Sequence, residues 1–135
     1  MQITRETDYA VRCLIHLSGT PDEVVVIDEI AGIRDVPRSF LAKILQKLSK
    51  AGIVTSYRGV KGGFQLARKP KDITLLDVVE AIEGPVAMNK CVVDREFCDL
   101  SRTCSVHPVW VGIRAGVENL LKGYNFEMLA ANRKK

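Results

Sequence analysis

Residues 37–66 read PRSFLAKILQKLSKAGIVTSYRGVKGGFQL, and this stretch decides the fold. Phe40, Leu41, Ile44, Leu45 and Leu48 recur at the three- and four-residue steps of one inward helical face. Pro37 suits a first helical turn, where a missing N–H costs nothing, and Gly52 suits the stop. The spacing predicts a helix over 37–50. Two short strands follow, Ile53–Tyr57 and Gly63–Leu66, joined by Arg58-Gly59-Val60-Lys61-Gly62. A glycine-rich turn between two such runs is a hairpin signal.

Working back toward the N-terminus, residues 3–18 form an amphipathic helix capped by Thr4 or Thr7, with Ile3, Ala10, Cys13, Leu14 and Leu17 on its apolar stripe. Gly19 and Pro21 end it. Val24–Ile27 is a β-branched run that predicts a small strand, and Asp28 opens a short helix through Ile33. His16 reads as a surface residue and Cys13 as a core residue. Helix, turn, helix and basic-tipped hairpin together make a winged helix-turn-helix: a mainly α fold with a small β-wing, whose second helix enters the DNA major groove.

Working forward, Thr74 caps a helix that ends at Gly84-Pro85. Residues 86–104 show no period and hold three of the four cysteines, and a bound ligand would give so long an irregular stretch its reason. A last helix runs from Ser105 to Lys122. Val106, Trp110, Ile113, Val117, Leu120 and Tyr124 follow steps of 4, 3, 4, 3 and 4, a heptad seam. Packing of this helix against its mate in a two-fold dimer is the economical reading; folding back on its own domain is the alternative. The expected organisation is a DNA-binding unit over 1–84, a cysteine-bearing loop over 85–104, and a dimerisation helix with its tail over 105–135.

Charge sharpens the reading. The 135 residues carry a net +4, with regional nets of −4 over 1–37, +9 over 38–71, −4 over 72–104 and +3 over 105–135. Nine basic and no acidic side chains in 38–71 are the footprint of a polyanion partner, here double-stranded DNA. A merely solvated basic face usually has acids interspersed. The longest apolar run is about five residues, too short to span a membrane. The first helix has acids inside its apolar segment and no cleavage signal, so a cytoplasmic protein is expected, with reduced thiols. No phosphate-cradling glycine loop, Ser/His/Asp set or carboxylate pair near His107 is present, so no enzyme is expected.

The cysteines form Cys91-x6-Cys98-x5-Cys104-x2-His107. Thiolates are soft donors suited to iron–sulfur clusters and zinc. Zinc ligands usually come in tight C-x2-4-C pairs, whereas gaps of six and five suit a larger, multi-metal object. Zinc and a metal-free thiol redox switch stay open alternatives on spacing alone.

The chain resembles the Rrf-type bacterial winged-helix regulators, among them the iron–sulfur regulators IscR, NsrR and RirA. The resemblance rests on Thr7-Asp8-Tyr9-Ala10-Val11-Arg12, Ala51-Gly52-Ile53-Val54, Arg58-Gly59-x2-Gly62-Gly63, Asp77-Val78-Val79-x-Ala81-Ile82-Glu83 and the three cysteines, in order over nearly the whole chain. It implies a homodimeric transcription factor sensing iron–sulfur supply, nitric oxide or redox state. By position it implies Arg38, Ser39, Phe40 and Lys43 in the major groove and Arg58 on the wing; Lys47, Lys50 and Lys61 suit phosphate contacts. It also implies two ligand sets. One is Cys91, Cys98, Cys104 and His107 around a [2Fe-2S] cluster, which Cys104-x2-His107-x2-Trp110 favours; the other replaces His107 by Asp8 of the partner around [4Fe-4S]. Two departures stand out. Ala42 lies where assembly-regulator members carry an acid, and the Cys91–Cys98 gap differs by one residue from the commonest spacing.

Overall fold

The computed structural model describes residues 2–89, 92 and 103–131. Among the described residues, six α-helices and one hairpin follow in the order α1 (Arg5–Ser18), α2 (Ile27–Arg34), α3 (Arg38–Lys50), β1 (Val54–Tyr57), β2 (Gly63–Leu66), α4 (Leu75–Glu83), α5 (His107–Lys122) and α6 (Phe126–Ala131). A short 3-10 turn, Pro70–Asp72, precedes α4. The winged helix-turn-helix and its small β-wing are as the sequence predicts.

Local chemistry sets the helix ends. Thr4 caps α1, its hydroxyl accepting from the Thr7 N–H at 3.3 Å. Pro37 is the residue just before α3, not its first turn. A capping box closes the start of α4: the Asp77 N–H donates to the Thr74 hydroxyl at 3.1 Å, and the Thr74 N–H donates to the Asp77 carboxylate at 2.9 Å. Such caps satisfy donors that have no intrahelical partner. At the far end of α3, Arg68 donates to the carbonyls of Ala51 (3.2 Å) and Gly52 (3.3 Å) while lying 3.5 Å from Asp77. One guanidinium thus ties the exit of α3 to the entrance of α4.

The core sits between α1, α3 and the segments that close over them. Ala10, Cys13 and Leu14 of α1 meet Leu41, Ile44, Leu45 and Leu48 of α3, all fully buried, with Ile30, Ile53, Ile73 and Val78 around them. Burying one such aliphatic side chain contributes about 1.5–3 kcal/mol, so this cluster dominates stability.

Several expectations change. Ile3 lies before the Thr4 cap and is exposed, outside the stripe. Phe40 is not inward: it is 47% exposed, its ring edge-on to Tyr9 with centroids 5.9 Å apart. Val24–Ile27 forms no strand, because Ile27 already begins α2 and Val25 alone pairs, exchanging two 2.9 Å backbone hydrogen bonds with Phe64. His16 is not a surface residue; its side chain is largely buried between α1 and α2, with Nε2 2.9 Å from the Glu29 carboxylate.

The sequence pattern does not announce α6. The Leu75 N–H donates to the Tyr124 carbonyl (2.8 Å) and the Phe126 N–H to the Ile73 carbonyl (3.0 Å), and the Phe126 ring is fully buried in the main core. The chain therefore leaves the core after α4 and returns to it through α6. Phe126→Ala is expected to cost about 3–5 kcal/mol, whereas Phe40→Ala, losing mainly one edge contact, should cost about 1 kcal/mol. Urea midpoints of the two variants check this.

Candidate functional site

With Leu41, Ile44, Leu45 and Leu48 turned inward, the helical period leaves Arg38, Ser39, Phe40, Ala42, Lys43, Gln46 and Lys50 exposed on the outer face of α3. Gln46 continues the row from Ser39 and Lys43, and sequence reasoning missed it. The signal was available: it lies three residues beyond Lys43 on the same face. Its amide offers a donor and an acceptor together, the pair that matches an adenine edge.

The basic segment is not without counter-charge. Acids from neighbouring elements reach it: Asp28 lies 3.2 Å from Arg38, Glu6 2.8 Å from Lys47, and Asp77 3.5 Å from Arg68. The Arg38–Asp28 pair is 68% and 72% exposed, so solvent screens it and leaves Arg38 available to a stronger anion. Lys47 and Glu6 are more enclosed and hold α3 against α1. Among the described residues, Lys43, Lys50, Arg58, Lys61, Lys69 and Lys71 have no ion-pair partner.

The wing stands beside this face. Its strands pair antiparallel, Val54 with Leu66 through Tyr57 with Gly63. At its tip Gly59 takes φ +99°, and the Gly62 N–H donates to the Gly59 carbonyl at 3.0 Å. At Gly63 a β-carbon would collide with the Val25 carbonyl, so glycine is what lets the hairpin dock on the segment before α2. Arg58, Val60 and Lys61 project into solvent.

Cys91 and Cys98 lie outside the described residues. Cys104 is half-buried in the turn leading into α5, its carbonyl accepting from the backbone N–H of His107, the first residue of that helix, at 3.3 Å. Val92, next to Cys91 in the chain, is held by the same helix: Arg114 Nη1 donates to its carbonyl at 2.7 Å, while Arg114 Nε lies 2.9 Å from Glu118. Asp8 is on the surface of α1, 3.0 Å from Arg12, whose guanidinium lies 5.5 Å from the Tyr9 ring centroid. Among the described residues no three metal-ligating side chains come together.

Helix α5 buries none of its residues fully. Among the described residues, Val117 and Leu121 pack on Leu76, Val79 and Val86 of a second small cluster. Val106, Val109, Ile113, Leu120 and Tyr124 stay exposed, Leu120 at 69%. Trp110 and Val117 of the heptad seam are partly covered.

The profile of the Rrf2 family, described as an iron-dependent transcriptional regulator, matches residues 3–132. The chain belongs to the Rrf2 family. Its members regulate transcription through DNA and are not enzymes. Protein aau3 of Rhizobium meliloti (strain 1021) is 36% identical over 134 residues, 98% of this chain and 87% of its own. Two solved structures share the Rrf2 fold. CymR (YrzC), named the global cysteine regulator of B. subtilis, superposes with a TM-score of 0.78 at 24% identity over 99% of both chains. IscR of T. potens gives 0.72 at 23% identity over 100% of this chain and 93% of its own. Among the described residues, no helix is long and apolar enough to cross a membrane.

Cys13 is separate from this chemistry. It is fully buried on α1, and desolvation pushes its thiol pKa from 9.0 up to about 12. The native fold therefore keeps the thiol protonated. The stability it contributes is intact below pH 9 and is lost as pH rises from about 9 toward 12. Iodoacetamide at pH 8 should leave Cys13 unmodified in the folded chain and modify it in guanidinium, as read by peptide mass spectrometry.

Proposed function

We propose that the chain is a homodimeric, operator-binding regulator whose DNA affinity is set by an iron–sulfur cluster on Cys91, Cys98, Cys104 and His107. The observation that carries this reading is mechanical. Cys104 and His107 introduce α5, and Arg114 of the same helix grips the carbonyl next to Cys91. Two ends of the cysteine segment are thus referred to one helix, and that helix carries the exposed apolar seam.

When bound, the cluster supplies a centre that responds to oxidant, nitric oxide and iron supply. The chain's own residues do the rest. Cys91, Cys98 and Cys104, with His107, would hold the cluster, and holding it would fix the segment between α4 and α5. Through Arg114 and the Val117–Leu121 edge, that order reaches α5 and α4, and through the seam it reaches the partner subunit. Half-sites lie about 34 Å apart, so a small change in the spacing of two recognition helices changes affinity. On DNA, Arg38, Ser39, Phe40, Lys43 and Gln46 face the major groove. Arg58 enters the minor groove, whose narrow A·T-rich form attracts arginine. Lys50 and Lys61 contact phosphates, and Lys47 stays with Glu6, holding α3 in place.

His107 is favoured over Asp8 as the fourth ligand because it stands three residues from Cys104, at the start of α5. With His107 as ligand, the family resemblance favours a [2Fe-2S] cluster over [4Fe-4S]. The rival reading is a metal-free thiol switch, which the three cysteines of 91–104 leave open.

Protein purified without oxygen is expected to be brown, with two irons and two acid-labile sulfides per chain, and His107→Ala should change the visible spectrum while Asp8→Ala does not. Four irons per site with sensitivity to Asp8→Ala would move the fourth ligand. Colourless protein with one zinc, or metal-free protein that forms disulfides under oxidant, would replace the cluster. Separately, Ile113→Asp combined with Leu120→Asp should convert a dimer to a folded monomer in sedimentation velocity. An unchanged sedimentation coefficient would remove α5 from the interface.

A further inference from the structure

The tip of the wing carries an apolar side chain where a polar one would be expected. Val60 is more exposed than any other large hydrophobic residue described, at 103% of its reference area. Single exposed apolar residues are common and need no explanation. Three features set this one apart. It lies between Arg58 and Lys61, two exposed cations with no ion-pair partner among the described residues. The turn that presents it is constrained, because Gly59 at φ +99° and the Gly62-to-Gly59 hydrogen bond of 3.0 Å hold it, and a β-carbon on Gly62 would strike the Tyr57 carbonyl. Valine is also stiff at χ1, so little side-chain entropy is lost when it makes a contact.

We propose that Val60 is a specificity-determining residue that lies against the floor of the DNA minor groove and selects A·T over G·C pairs there. This rests on the reading of the basic face and wing as the DNA-binding surface. The two cations on either side of Val60 bring it to a polyanion, and an arginine drawn into a narrow minor groove brings with it the constrained turn that presents Val60, two residues on. On the groove floor, A·T and T·A pairs present only acceptors, whereas a G·C pair adds the guanine N2 amino donor. A valine methyl accepts no hydrogen bond. Pressed on guanine, it would meet and desolvate that protruding amino group with nothing in exchange; over adenine and thymine no amino group projects from the floor, and the methyl seats deeper. The discrimination is therefore steric and solvational, separate from the charge of Arg58.

The test uses full-length protein and duplex DNA that the wild-type chain recovers from a random-sequence pool. At each flanking position under the wing, an A·T pair is replaced by G·C or by inosine·C. Inosine·C matches G·C in the major groove but lacks the N2 amino group. Wild type should bind the G·C duplex roughly tenfold more weakly at one such position, the cost of an ordinary mismatch, and should tolerate inosine·C. Val60→Ala, which touches nothing in the folded chain, should lose most of that G·C penalty and keep its salt dependence. Arg58→Ala should instead lower the slope of log K against log salt by about 0.9.

If Val60→Ala keeps the full G·C penalty, or if wild type treats inosine·C as it treats G·C, the inference is overturned while DNA binding stands. A wild-type chain that recovers no DNA from the pool overturns the DNA-binding reading and this inference with it.

Discussion

Leu41, Ile44, Leu45 and Leu48 lie on one stripe of α3 with no exposure at all, and that burial fixes what the opposite face can be. A helix anchored by four fully buried side chains has no freedom to roll, because even a fraction of a turn would bring a leucine into water and a lysine into the core. The outward row from Ser39 to Lys50 is held rigidly as a result. Rigid presentation is what groove reading needs, since base edges are distinguished by hydrogen bonds that tolerate little displacement.

Charge is partitioned around the same helix. The acids that answer the basic segment come from α1, α2 and α4, not from the segment itself, and they engage Lys47, Arg38 and Arg68. Lys47 and Arg68 thereby become braces between helices. The cations of the wing and of the middle of α3 are left to solvent. A sequence-local count shows nine uncompensated charges; the fold divides them into structural and available sets. Repulsion among the available ones is a standing cost that a polyanion would relieve.

Much of this was legible in the sequence. The three-and-four spacing of α3, the glycines of the wing and the Thr74 signal each reflect short-range chemistry that a few neighbouring residues specify. What was not legible depends on distant segments. Val24–Ile27 has strand composition, yet only Val25 finds a partner and Ile27 is taken up by α2. His16 finds its carboxylate thirteen residues away, across a turn. Phe40 fits the apolar stripe by composition, but its place on the first turn of α3 puts it beside Tyr9 at the rim. Helix α6 spans only Phe126–Ala131, too short for a convincing period, and exists because Phe126 fills the core. The candidate ligands were readable as a set of soft donors. The hold of Arg114 on Val92 was not, since nothing in a sequence pairs a guanidinium with a carbonyl twenty-two residues away.

The return of α6 to α1 also bears on how the protein is made. The first helix leaves the ribosome long before the fully buried Phe126, so the core stays open along one side until that residue emerges. Helices α1 to α4 and the wing can collapse as they appear, but their closing contact joins segments far apart in sequence and forms late. A nascent polypeptide stalled before residue 126 would display its basic helix on an unfinished core. Final packing of the winged helix-turn-helix in this way waits for a helix that lies beyond both the cysteines and the apolar seam in the sequence.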